Sequence, residues 1–522
     1  MPLKRNVKRI ILFSLVTLFF GYGIQHAYQG NVLSANEIGA TDQHIVTDQK
    51  TEAKDSSVRS TLSGSSKENV GEKPLISMFW AVPFILILLS IAIFPLFAPD
   101  FWHHNYWKLS LFVFGLPMII ISLFFLNDHV YKSTIHEVMN YVSFILLLAS
   151  LFTISGAILV RGTLVGTPLL NTIILGIGVV LASFMATTGA SMLLIRPLIR
   201  ANKFRSKKVH IIIFFIFLVS NIGGLLTPLG DPPLFLGFLK GVPFLWTLKN
   251  LWLEWFITNI ILLTLFFIWD SYSYKKEKAN GTLQEDPANG VKEPIKIQGK
   301  IQFIFLAGVA LAIYFQGYLI NTVKGWPHFG PMEGGMLLML VLSLLIAKPK
   351  SQIRKANEFT WFPIKEVAAL FAGIFACMVP TLYLLELHGK NLPLETPVDF
   401  YWVTGLLSSF LDNAPTYLVF LKAAIVKLSP ELAKLVPDIS QLSEPETIKL
   451  LAKSKGVSPY LAAISCGAVF MGAMSYIGNA PNFMVKAIAE EQGIKMPSFF
   501  GYMIYSILIL IPAFILVTVI FF

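Results

Sequence analysis

Charged residues and cysteines are scarce in this sequence. Asp, Glu, Lys and Arg make up 14% of its 522 residues, against roughly 25% in soluble domains. The two cysteines, Cys377 and Cys466, lie inside apolar runs, which argues against a disulfide framework or a cysteine-based metal site. Apolar residues reach 55% and the mean hydropathy is +0.67. This composition predicts an all-α polytopic membrane protein.

The signatures of several other classes of protein are missing. No histidine lies within the four polar motifs described below, so a Ser–His pair or a metal cluster there is not supported. The Gly-x4-Gly-Lys-Ser/Thr loop of ATP-driven proteins does not occur. The net charge of +11 comes from Lys and Arg in short loops, where they set membrane orientation. We therefore expect no enzyme activity, no cofactor, no metal except transported Na⁺, and no nucleic-acid partner.

The N-terminal region differs in composition from the rest of the chain. Residues 1–30 join a basic start to a short apolar run, which predicts a signal peptide or a signal anchor, with cleavage left open. Residues 31–74 are rich in Ser, Thr, Lys, Asp and Glu. That composition predicts a disordered polar segment outside the cytoplasm.

The remaining chain divides into two membrane halves in a cell inner (plasma) membrane. We expect the first half at 75–270, a cytoplasmic linker rich in Lys, Gly and Pro at 271–300, and the second half at 301–522. Each half contains spans, one hairpin and one broken helix. The simple spans are predicted at 75–97, 109–126, 140–160, 251–269, 301–320, 334–347, 365–387 and 498–522.

One polar stretch occurs twice, once in each half. Residues 221–233 and 472–481 both read Gly, five residues, Gly, then Asp or Asn, one residue, Pro. Each copy stops a helix at membrane depth, and such a break persists only where it is buried in protein or lines a polar cavity. Matching breaks in two halves of a chain indicate a transporter's binding site. The glycines, expected to serve turns and close helix packing, are Gly223, Gly224, Gly230, Gly472 and Gly478.

Two further apolar segments have polar tips. Residues 171–196 contain Met185 to Ser191, and residues 400–426 contain Ser408 to Thr416. We interpret both segments as re-entrant hairpins. The basic loop 196–208 is predicted to be cytoplasmic, which places the entries of the two hairpins on opposite sides of the membrane. The halves are therefore predicted to form an inverted repeat.

These four motifs resemble those of the ion transporter superfamily, which includes divalent anion/sodium symporters, citrate–metal transporters, ArsB-type pumps and NhaD-type sodium/proton antiporters. Asp231 and the pair Asp412 and Asn413 make the sequence most similar to NhaD-like antiporters and a related citrate transporter branch. The resemblance implies a scaffold and a mobile part built from the hairpins and broken helices, working as an elevator and often as a homodimer. The Ser-Asn-Thr tips of the dicarboxylate symporters are absent here, since the tips contain Thr187 to Ser191 and Asp412 to Thr416.

The motif residues suit a cation that competes with a proton. Asp231 and Asp412 are the acidic residues at the motif positions, and burial raises the pKa of a carboxyl group towards neutrality. Na⁺ and H⁺ could then share one carboxylate, for which Asp412 is the first choice. Oxygen ligands of neutral side chains would complete the shell. These are Thr227, Asn413, Thr416, Ser191, Thr188 and Asn479, with Asn221 and Asn482 flanking them.

Two alternatives stay open. Asp231, Asp412 and Asn479 also fit helix N-caps, because each is followed by proline within three residues. The leading functional hypothesis is alternating-access sodium/proton antiport. The alternative is H⁺- or Na⁺-coupled transport of citrate or another di- or tricarboxylate, alone or as a metal complex, held at the half-helix N-termini that follow Asp231 and Asn479.

Overall fold

The computed structural model describes residues 76–283, 294–323, 325–349, 351–436 and 439–522. The predicted signal or anchor segment and the polar segment, residues 1–74, lie outside the described residues, as does 284–293 of the predicted linker. Within the described ranges, nine helices are long and apolar enough to cross a membrane. The chain is therefore an all-α multi-pass membrane protein, as its composition predicts.

The helices of the first half enclose one hairpin and one broken helix. A π-helical segment, Leu109–Gly115, connects the second and third helices. In chain order the helices are α1 (Val82–Phe97), α2 (Pro99–Lys108), α3 (Leu116–Phe124), α4 (Asp128–Ser155), α5 (Pro168–Met185), α6 (Thr187–Ala201), α7 (Val209–Leu218), α8 (Pro232–Lys240), α9 (Trp246–Asn250) and α10 (Trp252–Ala279).

The second half also contains a hairpin and a broken helix. Its helices are α11 (Gln302–Thr322), α12 (Pro331–Ile346), α13 (Gln352–Ala356), α14 (Phe362–His388), α15 (Pro397–Phe410), α16 (Asn413–Lys427), α17 (Ser429–Leu435), α18 (Glu444–Lys453), α19 (Ser458–Met471), α20 (Ala480–Glu491) and α21 (Phe499–Phe521).

Several helices extend beyond the predicted apolar spans because hydrogen bonds and caps, rather than hydropathy, decide where a helix ends. The side chain of Asn127 accepts a hydrogen bond from the Val130 amide and starts α4 twelve residues before the predicted span at 140. Helix α10 continues to Ala279, into the predicted linker. The far end of that linker forms strand β2 (Lys296–Gln298), which pairs antiparallel with β1 (Leu159–Arg161).

The hairpins and broken helices of the two halves interlock. The second part of each broken helix packs against the second arm of the other half's hairpin, α8 against α16 and α20 against α6. The first hairpin arms pack against the breaks of their own halves, α5 against the 3₁₀ turn Ile222–Leu226 and α15 against the turn Gly472–Met474. The first broken span is the most enclosed, with 94% of Val209–Leu226 buried. The packing therefore brings both breaks and both hairpin tips together in the interior.

The other spans surround the interlocked hairpins and broken helices. Helix α14 packs against α1, α3 and α4, and it also contacts the hairpin through α16. Helix α4 packs against α11 and α12. The outer surfaces expose large apolar side chains, such as Leu508 and Val519 on α21, as expected of helices that face lipid.

Candidate functional site

The two breaks have the same local structure. In each, an α-helix tightens into a 3₁₀ turn, and an extended stretch then leads to the residue before the next helix. The hydroxyl of Thr227 donates to the carbonyl oxygen of Ser183 in the first hairpin. The hydroxyl of Ser475 at the matching position donates to Ser409 in the second hairpin. Each break is thus anchored to the hairpin of its own half, which satisfies backbone groups that lipid could not.

Side chains outside the predicted motifs satisfy other carbonyl groups of the breaks. The indole N–H of Trp255 donates to Gly223 O at 3.1 Å, and the hydroxyl of Thr247 donates to Leu226 O at 2.9 Å. In the second break, Tyr502 and Ser506 donate to Ala473 O and Met474 O at 2.8 and 2.6 Å. These polar residues are common at the ends of spans, so nothing in the sequence distinguished them.

Asp231 is the centre of the buried polar network. Its side chain accepts hydrogen bonds from Thr187 Oγ1 at 3.0 Å and Asn479 Nδ2 at 3.0 Å, both to Oδ1, and from Asn413 Nδ2 at 2.6 Å, to Oδ2. The carboxylate is 1% exposed. All three donors are neutral, and no basic side chain of the described residues bonds this carboxylate. When Asp231 is ionised, its negative charge is therefore stabilised by dipoles alone.

Each of these four residues stands at a helix N-terminus. Thr187 and Asn413 are the first residues of α6 and α16, while Asp231 and Asn479 are the N-caps of α8 and α20. A helix N-terminus carries a partial positive charge of roughly half an elementary charge. The hydrogen bonds to Asp231 therefore bring four positive helix ends to one place, one from each predicted motif.

The first hairpin tip has an unusual backbone. Ala186, between α5 and α6, has φ 64°, a left-handed value that is uncommon for residues other than glycine. The amide of the next residue, Thr187, donates to Gly230 O at 2.8 Å and holds the tip against the break. Gly224 packs closely against Thr187, and a Cβ at Gly224 would come within 2.7 Å of Thr187 Cγ2. Strain of this kind is found at functional sites.

The predicted glycines lie at close approaches of the backbone. A Cβ on Gly230 would lie 2.1 Å from Gly224 O, and a Cβ on Gly478 would lie 2.6 Å from Gly472 O. On Gly223 it would lie 2.8 Å from Leu218 O. These distances leave no room for a side chain, so the glycines allow each break to fold back on itself.

Three asparagines form a relay next to the carboxylate. The amide group of Asn479 also approaches Asn221 Oδ1 at 3.2 Å. Asn221 Nδ2 donates to Asn482 Oδ1 at 2.7 Å, and Asn482 Nδ2 donates to Gly472 O at 2.8 Å. The relay joins the two breaks directly, so the predicted flanking residues Asn221 and Asn482 lie next to the site.

The structure arranges the remaining predicted residues differently. Asp412 caps α16, with its side chain accepting from the Ala414 amide at 3.0 Å, and Thr416 donates to Asp412 O at 2.9 Å. Ser191 Oγ lies 2.9 Å from Ser220 Oγ, a residue that sequence reasoning missed. Thr188 is half-buried, one position after the Thr187 that bonds Asp231. Two adjacent threonines give no sequence signal to tell which one faces the carboxylate.

Besides the polar network around Asp231, a second cluster consists of charged side chains. This second charged cluster connects the hairpins and broken helices to the surrounding spans. Lys240 pairs with Glu137 of α4 and lies 3.7 Å from Glu444. Lys422 pairs with Glu386 of α14 at 2.9 Å and with Glu444 at 2.7 Å. A small pocket that is open to solvent lies among these side chains. The cluster therefore links α8 and α16 to α4 and α14.

Paired helix breaks around a buried carboxylate, enclosed by membrane spans, are the architecture of a secondary transporter. Comparison with known families agrees with this class. A protein-family model described as "Putative citrate transport" matches residues 73–522. The chain belongs to this family, which confirms the citrate transporter branch of the predicted superfamily resemblance. A search of curated proteins gave no match.

Proposed function

We propose that this protein is a cation-coupled transporter that moves citrate or a related di- or tricarboxylate across the cell's inner (plasma) membrane by alternating access. The coupling cation is H⁺ or Na⁺. The observation that carries the proposal is the meeting of four helix N-termini at Thr187, Asp231, Asn413 and Asn479. Family membership favours the same substrate class.

The positive partial charges of the helix N-termini attract a polycarboxylate, and together they are strong enough to bind one. One N-terminus stabilises an anion by about 0.3–2 kcal/mol. A single helix would not hold citrate from solution. Four N-termini at about 1 kcal/mol each reach about 4 kcal/mol, the free energy of millimolar binding.

Asp231 makes a cation necessary. Two unit charges about 4 Å apart repel by about 4 kcal/mol at an effective dielectric constant of about 20. An ionised Asp231 would therefore cancel the attraction of the N-termini for a substrate carboxylate. Binding a proton, Na⁺ or the metal of a metal–citrate complex at Asp231 removes that repulsion. The anion then loads only together with the cation, which is coupling.

Alternating access fits the repeated architecture. We define the transport unit as helices α5–α8, α15, α16 and α18–α20, and we infer that its hairpins are re-entrant and that it moves as an elevator between the other spans. The matching of Thr227 with Ser475 and of Asp231 with Asn479 supports an inverted repeat. In such a repeat the site lies between the halves, where it can open to either side.

Sodium/proton antiport is the second candidate. It is favoured by one observation, that the three donors to Asp231 are neutral. A carboxylate without a basic partner can exchange Na⁺ for H⁺ and needs no anion. Asp412 is the other carboxylate that could serve this exchange.

Proteoliposomes separate these functions. Uptake of radiolabelled citrate is measured under an inward Na⁺ gradient, under an inward H⁺ gradient and without a gradient, each with and without Mg²⁺. The native protein is compared with Asp231→Asn and Asp412→Asn. Asn is as good an N-cap as Asp, so Asp412→Asn keeps the cap of α16. Asp231 makes no side-chain cap, and Asp231→Asn removes its charge together with one acceptor oxygen.

We expect gradient-driven citrate uptake by the native protein and by Asp412→Asn, and loss of the gradient dependence in Asp231→Asn. Loss of the gradient dependence in Asp412→Asn alone would assign the coupling role to Asp412 instead. Proton movement on adding Na⁺, with no citrate uptake under any gradient, would contradict citrate transport and establish antiport.

A further inference from the structure

The orientation of the Asn413 amide group is fixed by its neighbour. A carboxylate oxygen that is ionised can only accept hydrogen bonds. Asn413 therefore directs its amide nitrogen to Asp231 Oδ2, at 2.6 Å. Its oxygen, Oδ1, is bonded to the same carbon and lies in the same site, turned away from the carboxylate.

This oxygen has no partner. Asn413 is 1% exposed, and Oδ1 is a buried acceptor without a hydrogen bond to any described residue. The acceptor atoms of Asp231, by contrast, hold three hydrogen bonds. Buried polar side-chain atoms are nearly always paired, so an unpaired one at this position indicates a group that arrives with the substrate.

Gly472 of the second break packs closely beside the amide. A Cβ built there would lie 3.5 Å from Asn413 Nδ2 and 3.2 Å from Asn221 Oδ1. The break therefore approaches the nitrogen side of the amide, and Oδ1 is the atom of Asn413 that has no partner.

The substrate must supply a donor. A fully ionised polycarboxylate offers only acceptors from its carboxylate groups, whereas a hydroxyl group also donates. The helix N-termini bind the carboxylate groups, which leaves Asn413 Oδ1 to accept a hydrogen bond from another group of the substrate. Building on the proposed function, we propose that Asn413 is a specificity-determining residue that accepts a hydrogen bond from the substrate's 2-hydroxyl group, so that the site selects 2-hydroxycarboxylates.

A cation is a poorer match for this oxygen. Hard cations bind six or more oxygen atoms, whereas Asn413 Oδ1 is the one unpaired buried oxygen among the three side chains that bond Asp231. One unpaired acceptor matches one donor. The hydroxyl of a 2-hydroxycarboxylate meets that requirement with one bond.

The size of the effect follows from the cost of an unsatisfied acceptor. An unpaired buried acceptor costs about 1–3 kcal/mol, which corresponds to about 5- to 160-fold in affinity. Substrates that lack the hydroxyl should bind more weakly by that factor. Both the substrate with the hydroxyl and its analogue carry the same carboxylates, so the helix N-termini contribute equally to each.

The test uses two pairs of compounds that differ only in the 2-hydroxyl group, citrate with tricarballylate and malate with succinate. Inhibition of radiolabelled citrate uptake is measured in proteoliposomes at mildly alkaline pH, where the carboxyl groups are ionised, and in metal-free buffer. We expect the hydroxylated member of each pair to inhibit at about 5- to 160-fold lower concentration.

Variants connect the preference to Asn413. Asn413→Leu keeps the approximate shape and removes both the Oδ1 acceptor and the Nδ2 donor to Asp231. We expect the citrate-to-tricarballylate ratio to fall to about one. Asn413→Ser, which retains an acceptor oxygen, should recover part of the preference. Thr187→Val removes a different donor to Asp231 and should weaken both compounds equally. Because the ratio is taken within one sample, it does not depend on how much of a variant folds.

The outcomes are distinguishable. Equal inhibition by both members of each pair in the native protein would overturn the role of Asn413 while leaving citrate transport intact. A preference that persists in Asn413→Leu would overturn it as well and would place the hydroxyl elsewhere. Absence of citrate uptake in the native protein would instead contradict the proposed function itself.

Discussion

Asp231 and Asn479 occupy matching positions in the two breaks, yet only Asp231 is ionisable. The two side chains are in contact at 3.0 Å although 248 residues separate them in the chain. The pair therefore carries at most one full negative charge, and an amide from the other half of the chain donates a hydrogen bond to it. A second carboxylate so close would leave one of the two protonated. This single residue difference leaves one ionisable group at the paired positions of the two breaks.

Gly230 is the residue at which a small change has the largest steric effect. In Gly230→Ala the new Cβ would lie 2.1 Å from the backbone oxygen of Gly224, and neither atom can move without opening the break. We expect a cost of about 3 kcal/mol or more, the upper end of the range for overpacked interiors. A lower melting temperature in detergent, together with loss of transport, checks this.

Gly176→Ala is the matched control. Gly176 lies within α5, and a Cβ there would meet only Leu263 Cδ1, at 3.9 Å. Alanine is favoured over glycine in a helix by about 0.5–1 kcal/mol, so the melting temperature should stay the same or rise. Equal melting temperatures for the two variants would contradict the close approach at Gly230.

At the scale of elements, a buried charge network attaches the first hairpin and broken helix to α10. Arg205, in the loop between α6 and α7, pairs with Asp270 at 2.6 Å and with Glu277 at 2.9 Å, and all three side chains are buried. His210 Nε2 also contacts Asp270, at 2.9 Å. These bonds explain why α10 continues past the predicted span.

Removing the arginine should separate these elements. Arg205→Met leaves two carboxylates buried without their cation, and breaking such a pair costs about 3–5 kcal/mol. We expect a large drop in melting temperature and faster proteolysis between α6 and α7. Arg200→Met is the control, because Arg200 is exposed and its guanidinium donates to a backbone oxygen, that of Val160. A similar drop in both variants would mean that positive charge in this region, rather than the network, matters.

At the scale of the whole molecule, the transport unit meets the surrounding spans at the second charged cluster. Lys240 of the unit is in contact with Glu137 of α4. In an elevator this contact separates during each cycle, whereas Lys422 and Glu444, at 2.7 Å, belong to one moving body. The two contacts therefore predict opposite effects of cross-linking.

Cysteines placed at 137 and 240 should report this movement. Joining them with a short bifunctional thiol reagent is expected to arrest citrate uptake, because α8 can no longer move relative to α4. The same treatment of cysteines at 422 and 444 should leave most of the uptake. The native cysteines, Cys377 and Cys466, are buried, and each single-cysteine variant controls for modification alone. Full uptake after cross-linking 137 to 240 would contradict the elevator.

Much of the architecture is readable from local patterns. Long apolar runs predict the membrane spans, and the repeated motif that contains Gly224 and Gly472 predicts two helix breaks, because hydropathy and helix-stopping residues act over a few neighbouring positions. Helix ends are less readable. The cap at Asn127 starts α4 well before the apolar run, and the ion pairs of Arg205 accompany the continuation of α10 past its apolar run. Hydropathy shows neither effect.

The sequence by itself determined the class of the protein, the four motifs and the residue types at the site. It could not decide whether Asp231 or Asp412 has amide donors around it, nor whether Thr187 or Thr188 faces the carboxylate. Those choices depend on contacts such as the one between Asn413 and Asp231, which are 182 residues apart in the chain. Only tertiary packing fixes them, because a hydrogen bond requires partners within about 3 Å and the sequence carries no distance between segments.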